Sequence, residues 1–382
     1  MIHVDKRPEW GTVLCSVPVR ISSASLLPSG PSSQRRINPC KPIPCCCVEI
    51  QRRDTPTFSP FRSSFWTAPP PARMTYGITG NPTKDQLWTP VARLIDRLQE
   101  RGLDFCLHTP IAQGLRKRDL VSASLCSERS AIDLAHRSDV VLSFGGDGTL
   151  LRTAHTTGPN DTPLLGVNIG RLGFLADIEV EQLSDALDAI ERGHYAIEER
   201  LVLQATADDH GTFGTQWAMN EFVLDRSGST GLMRIEVEVD GTPLNTYWAD
   251  GIIIATPTGS TAYSLSTGGP ILTPGVGAII ITPIASHTLT VRPIVLSSDV
   301  TLRAHVVSND HPYVFAADGR STLLEDQDYT FTIEQAPHTV NLVKMEDQHF
   351  FHTLRSKLMW GMHRREAADG DKSAFSDASH TP

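Results

Sequence analysis

The sequence predicts an α/β half followed by an all-β half, with a helix at the end. Three observations carry this prediction. Between residues 74 and 176, short apolar runs alternate with segments of helical spacing, the pattern of a mostly parallel sheet covered on both faces. From about residue 177, one helical segment gives way to a series of strand-like runs. The last patterned segment, His349 to Trp360, has helical spacing again and is expected to return to the first half.

In chain order, Met74-Thr-Tyr-Gly-Ile-Thr-Gly80 reads as a first strand running into a Gly/Pro loop. Lys84 to Arg101 carries Leu87, Val91, Leu94, Ile95 and Leu98 at helical spacing, and Gly102 is a natural stop. Leu103 to Leu107 is a short strand. Asp139 to Phe144 is a buried strand that runs into Gly145-Gly146-Asp147-Gly148-Thr149, after which Leu150 to His155 is helical. Pro163 to Asn168 is the next strand, and Val180 to Arg192 a helix. The strand-like runs that follow include 201–207, 217–224, 232–239, 244–248, 251–256, 278–282, 300–307 and 329–333. Asp240-Gly241 between two of them is a strong hairpin signal.

Residues 1–73 are rich in Pro, Ser and Arg and lack either periodicity. They hold ten Lys or Arg against four Asp or Glu, so the remainder of this chain of net charge −9 carries −15. They are expected to be a disordered leader or a start codon placed too early, with Met74 as the first residue of the fold. The expected domains are then 74–176 (α/β), 177–336 (all-β), 337–363 (a segment packing on the α/β domain) and 364–382 (a disordered tail). The acidic balance argues against nucleic acid or an anionic membrane surface as partner. No apolar run reaches the roughly 18 residues a membrane helix needs. Five of the seven cysteines lie before residue 50 without CxxC spacing, which suits a reducing, cytoplasmic location and makes zinc an unsuitable guess.

Four motifs carry chemistry. Gly145-Gly146-Asp147-Gly148-Thr149 sits at the carboxyl end of a buried strand, where open α/β sheets place ligands. Glycines let backbone N–H groups approach phosphate, and the following helix offers its positive end. Asp147 there suits either of two tasks, accepting a hydroxyl proton or holding Mg²⁺. A plain helix cap is the alternative. Asn168-Ile-Gly-Arg-Leu-Gly-Phe-Leu175 reads as a domain-linking turn with Phe174 and Leu175 in the core. Asn220-Glu221 interrupts an apolar strand, pointing to opposite faces, and burying either side chain requires partners. Edge-strand residues facing water are the alternative. Asp250 opens a buried strand that leads into Thr256-Pro-Thr-Gly-Ser-Thr-Ala-Tyr-Ser-Leu-Ser266, a loop crowded with hydroxyls, with Tyr263 able to stack on a base. No GxxxxGK[ST] and no GxGxxG after a first strand is present, so neither a P-loop nor a hydride-transfer site is indicated.

Together these residues resemble the NAD kinase family across nearly all of residues 74–360. Gly-Gly-Asp-Gly-Thr alone is shared with diacylglycerol and sphingolipid kinases and phosphofructokinases, whereas Asn220-Glu221 with Thr258-Gly-Ser-Thr-Ala-Tyr263 is specific. The resemblance implies a Rossmann-like α/β N-terminal domain, a β-sandwich C-terminal domain and a C-terminal helix returning to the first. It implies phosphoryl transfer from ATP or polyphosphate to the 2′-hydroxyl of the adenosine ribose of NAD, with a divalent metal, Mg²⁺, and a homo-oligomer of two or four chains. Asp147 matches the proton acceptor. Gly148, Arg152, Asn220, Glu221, Asp250, the run Thr261, Ala262, Tyr263, Ser264, Leu265 and Ser266, then Ala285 and Arg320, match NAD contacts. Metal ligands are not indicated. A lipid kinase of the diacylglycerol type and a non-catalytic dinucleotide-binding regulator are the competing expectations. The first has no need of Asn220-Glu221 and Tyr263, the second none of Asp147.

Overall fold

The computed structural model describes residues 74–122, 128–170, 173–176, 178–208, 213–228, 231–307, 312–324, 328–346 and 348–360. The expectations for 1–73 and 364–382 lie outside the described residues. The first half runs β1 (Thr75–Gly80), α1 (Trp88–Glu100), β2 (Asp104–His108), α2 (Thr109–Lys117), β3 (Glu128–Arg129), α3 (Ala131–His136), β4 (Val140–Gly145), α4 (Asp147–Thr157), β5 (Leu164–Asn168), β6 (Ile178–Glu179), α5 (Leu183–Glu191) and β7 (Tyr195–Arg200). The second runs β8 (Leu203–Ala207), β9 (Gln216–Ala218), β10 (Glu221–Asp225), β11 (Met233–Val239), β12 (Thr242–Ala249), β13 (Gly251–Ala255), α6 (Tyr263–Ser266), β14 (Ala278–Ile284), β15 (Ile294–Ser297), β16 (Leu302–Val307), β17 (Tyr313–Ala317), β18 (Arg320–Leu324) and β19 (Tyr329–Gln335). Last come β20 (Val340–Met345) and α7 (Phe350–Leu358).

The first sheet has the order β3-β2-β1-β4-β5-β20-β7, with β6 beside β5. Its ladders are parallel up to β20, and β7 closes it antiparallel. β4 and β5 are buried throughout, as central strands with helices on both faces must be. The apolar stripe of α1 (Val91, Leu94, Ile95, Leu98) faces the core. That helix ends as expected at Gly102: Leu103 N donates to Leu98 O and Gly102 N to Gln99 O, the paired bonds of a Schellman stop.

The expected boundary at residue 177 comes too early. α5 follows β6, and β7 pairs with β20 in the first sheet, so the all-β half begins at β8. β20 lies in the first sheet, pairing with β5 on one side and β7 on the other. Sequence patterning missed β7 because Tyr195-Ala-Ile-Glu-Glu-Arg200 does not alternate, and it missed β20.

The second half is a sandwich of two six-stranded antiparallel sheets, β15-β14-β13-β10-β17-β18 and β12-β11-β16-β19-β8-β9. One apolar core lies between them: Phe222 and Phe315 from one sheet meet Phe331 from the other, with Phe315 and Phe331 stacked at 5.0 Å. Asp240-Gly241 forms the expected two-residue hairpin, with φ of 48° and 74° and Val239 paired to Thr242. Asp318-Gly319 forms a second, at φ of 47° and 77°, which the sequence reading did not single out.

Candidate active site

Gly145 ends β4, and Gly146 carries the chain directly into α4, whose first residue is Asp147. The carboxylate does not serve as a local cap. It reaches to the loop after β5, where Oδ2 accepts the Phe174 N–H at 2.8 Å and Oδ1 accepts those of Leu175 and Ala176 at 3.0 Å each. The loop therefore does more than link domains: its amides hold Asp147. Gly173 makes this possible, since a Cβ there would lie 1.8 Å from Asp147 Oδ1. A carboxylate offers about four lone-pair sites, so three amides leave one open on Oδ2. Gly148 is exposed beside it, and Arg152 is exposed on the same helix.

The strand expected over 217–224 breaks at Met219-Asn220. β9 belongs to one sheet of the sandwich and β10 to the other, so the chain changes sheets there. A crossover leaves backbone amides without a ladder, and buried amides need acceptors. Asp318 supplies them: its Oδ2 accepts from Met219 N at 2.8 Å, and its Oδ1 from Asn220 N at 2.8 Å and Glu221 N at 3.1 Å. Asn220 and Glu221 are both buried, which removes the reading as water-facing edge residues. Asn220 Oδ1 and Glu221 Oε2 are buried oxygens without a partner among the described residues.

The hydroxyl-rich loop is stapled to this pair. Thr256 N donates to Asn220 O at 2.8 Å and its Oγ1 to Met219 O at 2.5 Å, while Gly259 N donates back to Thr256 Oγ1 at 3.1 Å. The Tyr263 backbone N–H bonds the Glu221 carboxyl. Arg200, on β7 of the first sheet, donates from Nη1 to Thr258 Oγ1 at 3.3 Å, tying the loop to the other half. Tyr263 is exposed, with its ring free of stacking partners among the described residues. Thr261, Ala262 and Leu265 are partly exposed. Ser264 is buried, with Oγ 3.0 Å from Thr282 Oγ1, so its hydroxyl anchors the loop. Ser266 donates to the Tyr263 carbonyl at 2.8 Å.

Asp250 and Ala285 are not brought to this cluster. Glu221 pairs with Ala255 and Asp225 with Gly251, so Asp250 lies at the far end of β13 from Thr256, roughly 20 Å away at strand rise. Ala285 sits at that same far end, after Ile284, whose carbonyl accepts the Asp250 N–H at 2.9 Å. Asp250 pairs there with Arg226 at 3.2 Å. Arg320 lies beside Asp318 and donates from Nη2 to Trp217 O at 3.1 Å. His287 is exposed near the Asp250 end, its backbone N–H donating to Trp248 O at 2.8 Å. A cavity of about 590 Å³ lies elsewhere, walled by Phe174, Arg200, Val276, Lys344 and Phe350; neither Asp147, Asn220, Glu221 nor Tyr263 lines it.

Burial, reinforced by the nearby Asp318 charge and opposed by the Tyr263 amide, pushes the Glu221 carboxyl up to about 8 from an ordinary 4.5. Its proton is then held more tightly in the folded than in the unfolded chain. The stability this confers is full below about 4.5 and is lost as pH rises to about 8. Urea titrations across that range should show wild type losing stability relative to Glu221→Gln, at a slope approaching 1.4 kcal/mol per pH unit. Parallel curves for the two proteins would show that Glu221 titrates normally.

Among the described residues no three His, Cys, Asp or Glu side chains gather to hold a metal ion. Magnesium commonly needs only one or two carboxylates when substrate phosphates supply the rest, and the Asp147 carboxylate keeps an open position on Oδ2.

Comparisons with known proteins identify the family. The model of the ATP-NAD kinase N-terminal domain matches residues 76–195, and that of the ATP-NAD kinase C-terminal domain matches residues 219–345. The NAD kinase of Bacteroides fragilis is 39% identical over 295 residues, covering 76% of this chain and 100% of that protein. In fold, the chain is similar to yeast NADH kinase complexed with NADH, with a TM-score of 0.69 and 24% identity over 76% of this chain and 89% of that one. It is similar also to an NAD kinase from Archaeoglobus fulgidus in complex with ATP, with a TM-score of 0.58 and 22% identity over 75% and 99%. The chain belongs to the ATP-NAD kinase family, phosphotransferases that act on the 2′-hydroxyl of NAD.

Proposed function

We propose that ATP is the phosphoryl donor, that Asp147 takes the proton from the 2′-hydroxyl, and that the Asn220-Glu221 pair with Tyr263 receives the adenosine half of NAD. The observation that carries this reading is the pair of unpartnered buried oxygens, Asn220 Oδ1 and Glu221 Oε2. Leaving them unpaired is costly, and a ligand bearing amino and hydroxyl donors removes the cost. Adenosine has both, and a glycerolipid headgroup has no base to stack on the exposed Tyr263 ring. In this reading Gly148, Arg152, Arg320 and the 261–266 loop complete the contact set.

The chemistry follows from position. The ribose 2′-oxygen attacks the γ-phosphorus, the bond from that phosphorus to the β-phosphate oxygen breaks, and ADP leaves. The hydroxyl proton passes to the open position on Asp147 Oδ2, which the three loop amides hold in one orientation. Mg²⁺ carried on the donor phosphates would offset charge on the transferring group. The deciding assay supplies purified protein with NAD or NADH, Mg²⁺, and either ATP or polyphosphate, and measures NADP or NADPH. Product formation with polyphosphate and none with ATP would overturn the donor assignment.

The distance between Asp250 and the Asn220 cluster supports one more part of the reading: the chain acts as a homo-oligomer in which Asp250 and Ala285 complete the site of a second copy. Co-assembly of an Asp147→Asn chain with an Asp250→Ala chain should then restore activity that neither has alone. The level expected is on the order of a quarter of wild type, because half of randomly mixed dimers are mixed and each holds one intact site. Absence of any recovery in a verified mixed oligomer would place both residues in the same chain's site or Asp250 outside it.

A further inference from the structure

We infer that His155 and Asp318 form a positioning pair that sets the Asn220-Glu221 motif against the helix bearing Asp147, and so governs affinity for NAD. This rests on the NAD kinase reading of the site. Asp318 occupies the first place of the tight Asp318-Gly319 turn, and its left-handed φ of 47° is one that short polar side chains tolerate. Its side chain is inaccessible to solvent. Besides the amides of Met219, Asn220 and Glu221, it accepts a bond from His155 Nε2 at 2.8 Å. Four donors on about four lone-pair sites leave the carboxylate fully satisfied. A carboxylate has no proton to give, so Nε2 is the donor.

The geometry makes this pair a junction between the two halves. His155 lies on α4, eight residues after Asp147, about 12 Å along the helix axis at 1.5 Å per residue. Its ring lies 3.8 Å from that of Trp217, and the Trp217 carbonyl accepts from Arg320, two residues beyond Asp318. Leu150, Ala154 and Met219 form an apolar cluster in the same region. Apolar contact is not directional, whereas the hydrogen bonds from His155 to Asp318 and from Asp318 to three consecutive amides are. They fix where the Asn220 and Glu221 side chains leave the backbone relative to α4. The Asp318 carboxylate has all its lone-pair sites occupied, while His155 Nδ1 has no partner among the described residues, so it is the carboxylate's four directional bonds that specify the arrangement. Neither residue touches the reacting atoms, so their effect should fall on NAD binding and leave the donor's site alone.

The test is steady-state kinetics on the full chain, varying NAD and ATP separately, for wild type and for His155→Ala, His155→Phe and His155→Gln. His155→Phe keeps a ring against Trp217 and removes the donor; His155→Gln keeps an N–H donor and removes the ring. The alanine and phenylalanine variants should raise KM for NAD tenfold or more, with KM for ATP changed less than about twofold, and glutamine should recover most of the loss. NAD binding measured by calorimetry on the same proteins should follow the same order, which tests the pair even where wild type forms no NADP and the enzymatic reading has failed. Unchanged NAD affinity in His155→Phe, equal rises in both KM values, or a fall in melting temperature with NAD affinity intact would each overturn the inference. So would a glutamine variant as impaired as phenylalanine.

Discussion

Asp147→Asn should lower kcat by about 10² to 10⁴, the usual worth of general-base help, while the dissociation constant for NAD stays within a few-fold of wild type. The substitution keeps the shape of the side chain but changes its hydrogen bonding. An amide has one acceptor oxygen where the carboxylate has two, and three backbone N–H groups now converge on that side chain. The variant therefore loses the proton acceptor and part of its clamp together. Calorimetry with NAD alone, beside turnover measured at saturating NAD and ATP, separates the two losses from loss of binding. Turnover like that of wild type would remove Asp147 from the chemistry, and a large loss of NAD affinity at unchanged turnover would make it a binding group.

Gly173→Ala should be nearly as damaging, although the residue contacts no substrate in the proposed mechanism. Its new methyl would need the space of Asp147 Oδ1, 1.8 Å from the Cβ position, so either the carboxylate or the loop must move by more than an ångström. A misplacement of that size in a reacting group can cost on the order of 10² in rate. Because the two residues act as one unit, the double variant should be little worse than Asp147→Asn alone. Additive losses would mean that Gly173 acts elsewhere, and full activity in Gly173→Ala would show that the clamp is not needed for turnover.

Much of this was legible in the sequence because local chemistry forced it. The apolar stripe of Val91, Leu94, Ile95 and Leu98 could only be a helix face, and Asp240-Gly241 could only be a tight hairpin. The glycines around Asp147 marked a ligand loop, and Asn220-Glu221 marked itself by polarity inside an apolar run. What stayed hidden depends on contacts between residues distant in the chain. Gly173 was visible as a glycine, but nothing local says that its missing Cβ makes room for a carboxylate 26 residues earlier. Asp318 had a readable turn signal, Asp-Gly between two short strands, yet the need it answers arises where β9 leaves one sheet and β10 joins the other. The separation of Asp250 from Asn220 was likewise invisible, since both flank apolar strands and only the pairing of β10 with β13 puts them at opposite ends.

The insertion of β20 between β5 and β7 also bears on how the polypeptide comes together during synthesis. The 139 residues between Arg200 and Val340, which include every strand of the sandwich, must be made before the first sheet can receive its missing strand. Until then β7 has no neighbour and the edge of β5 that β20 will pair carries only the two-residue β6 at its far end, so the stretch around Leu164 is open, a template for pairing with another nascent chain. The sandwich has all of its strands within one continuous stretch and can form as a unit while it emerges. Vectorial folding therefore runs against the order of the sequence: the half that is translated first is completed last, and its slow step is the capture of a late strand across a long sequence separation.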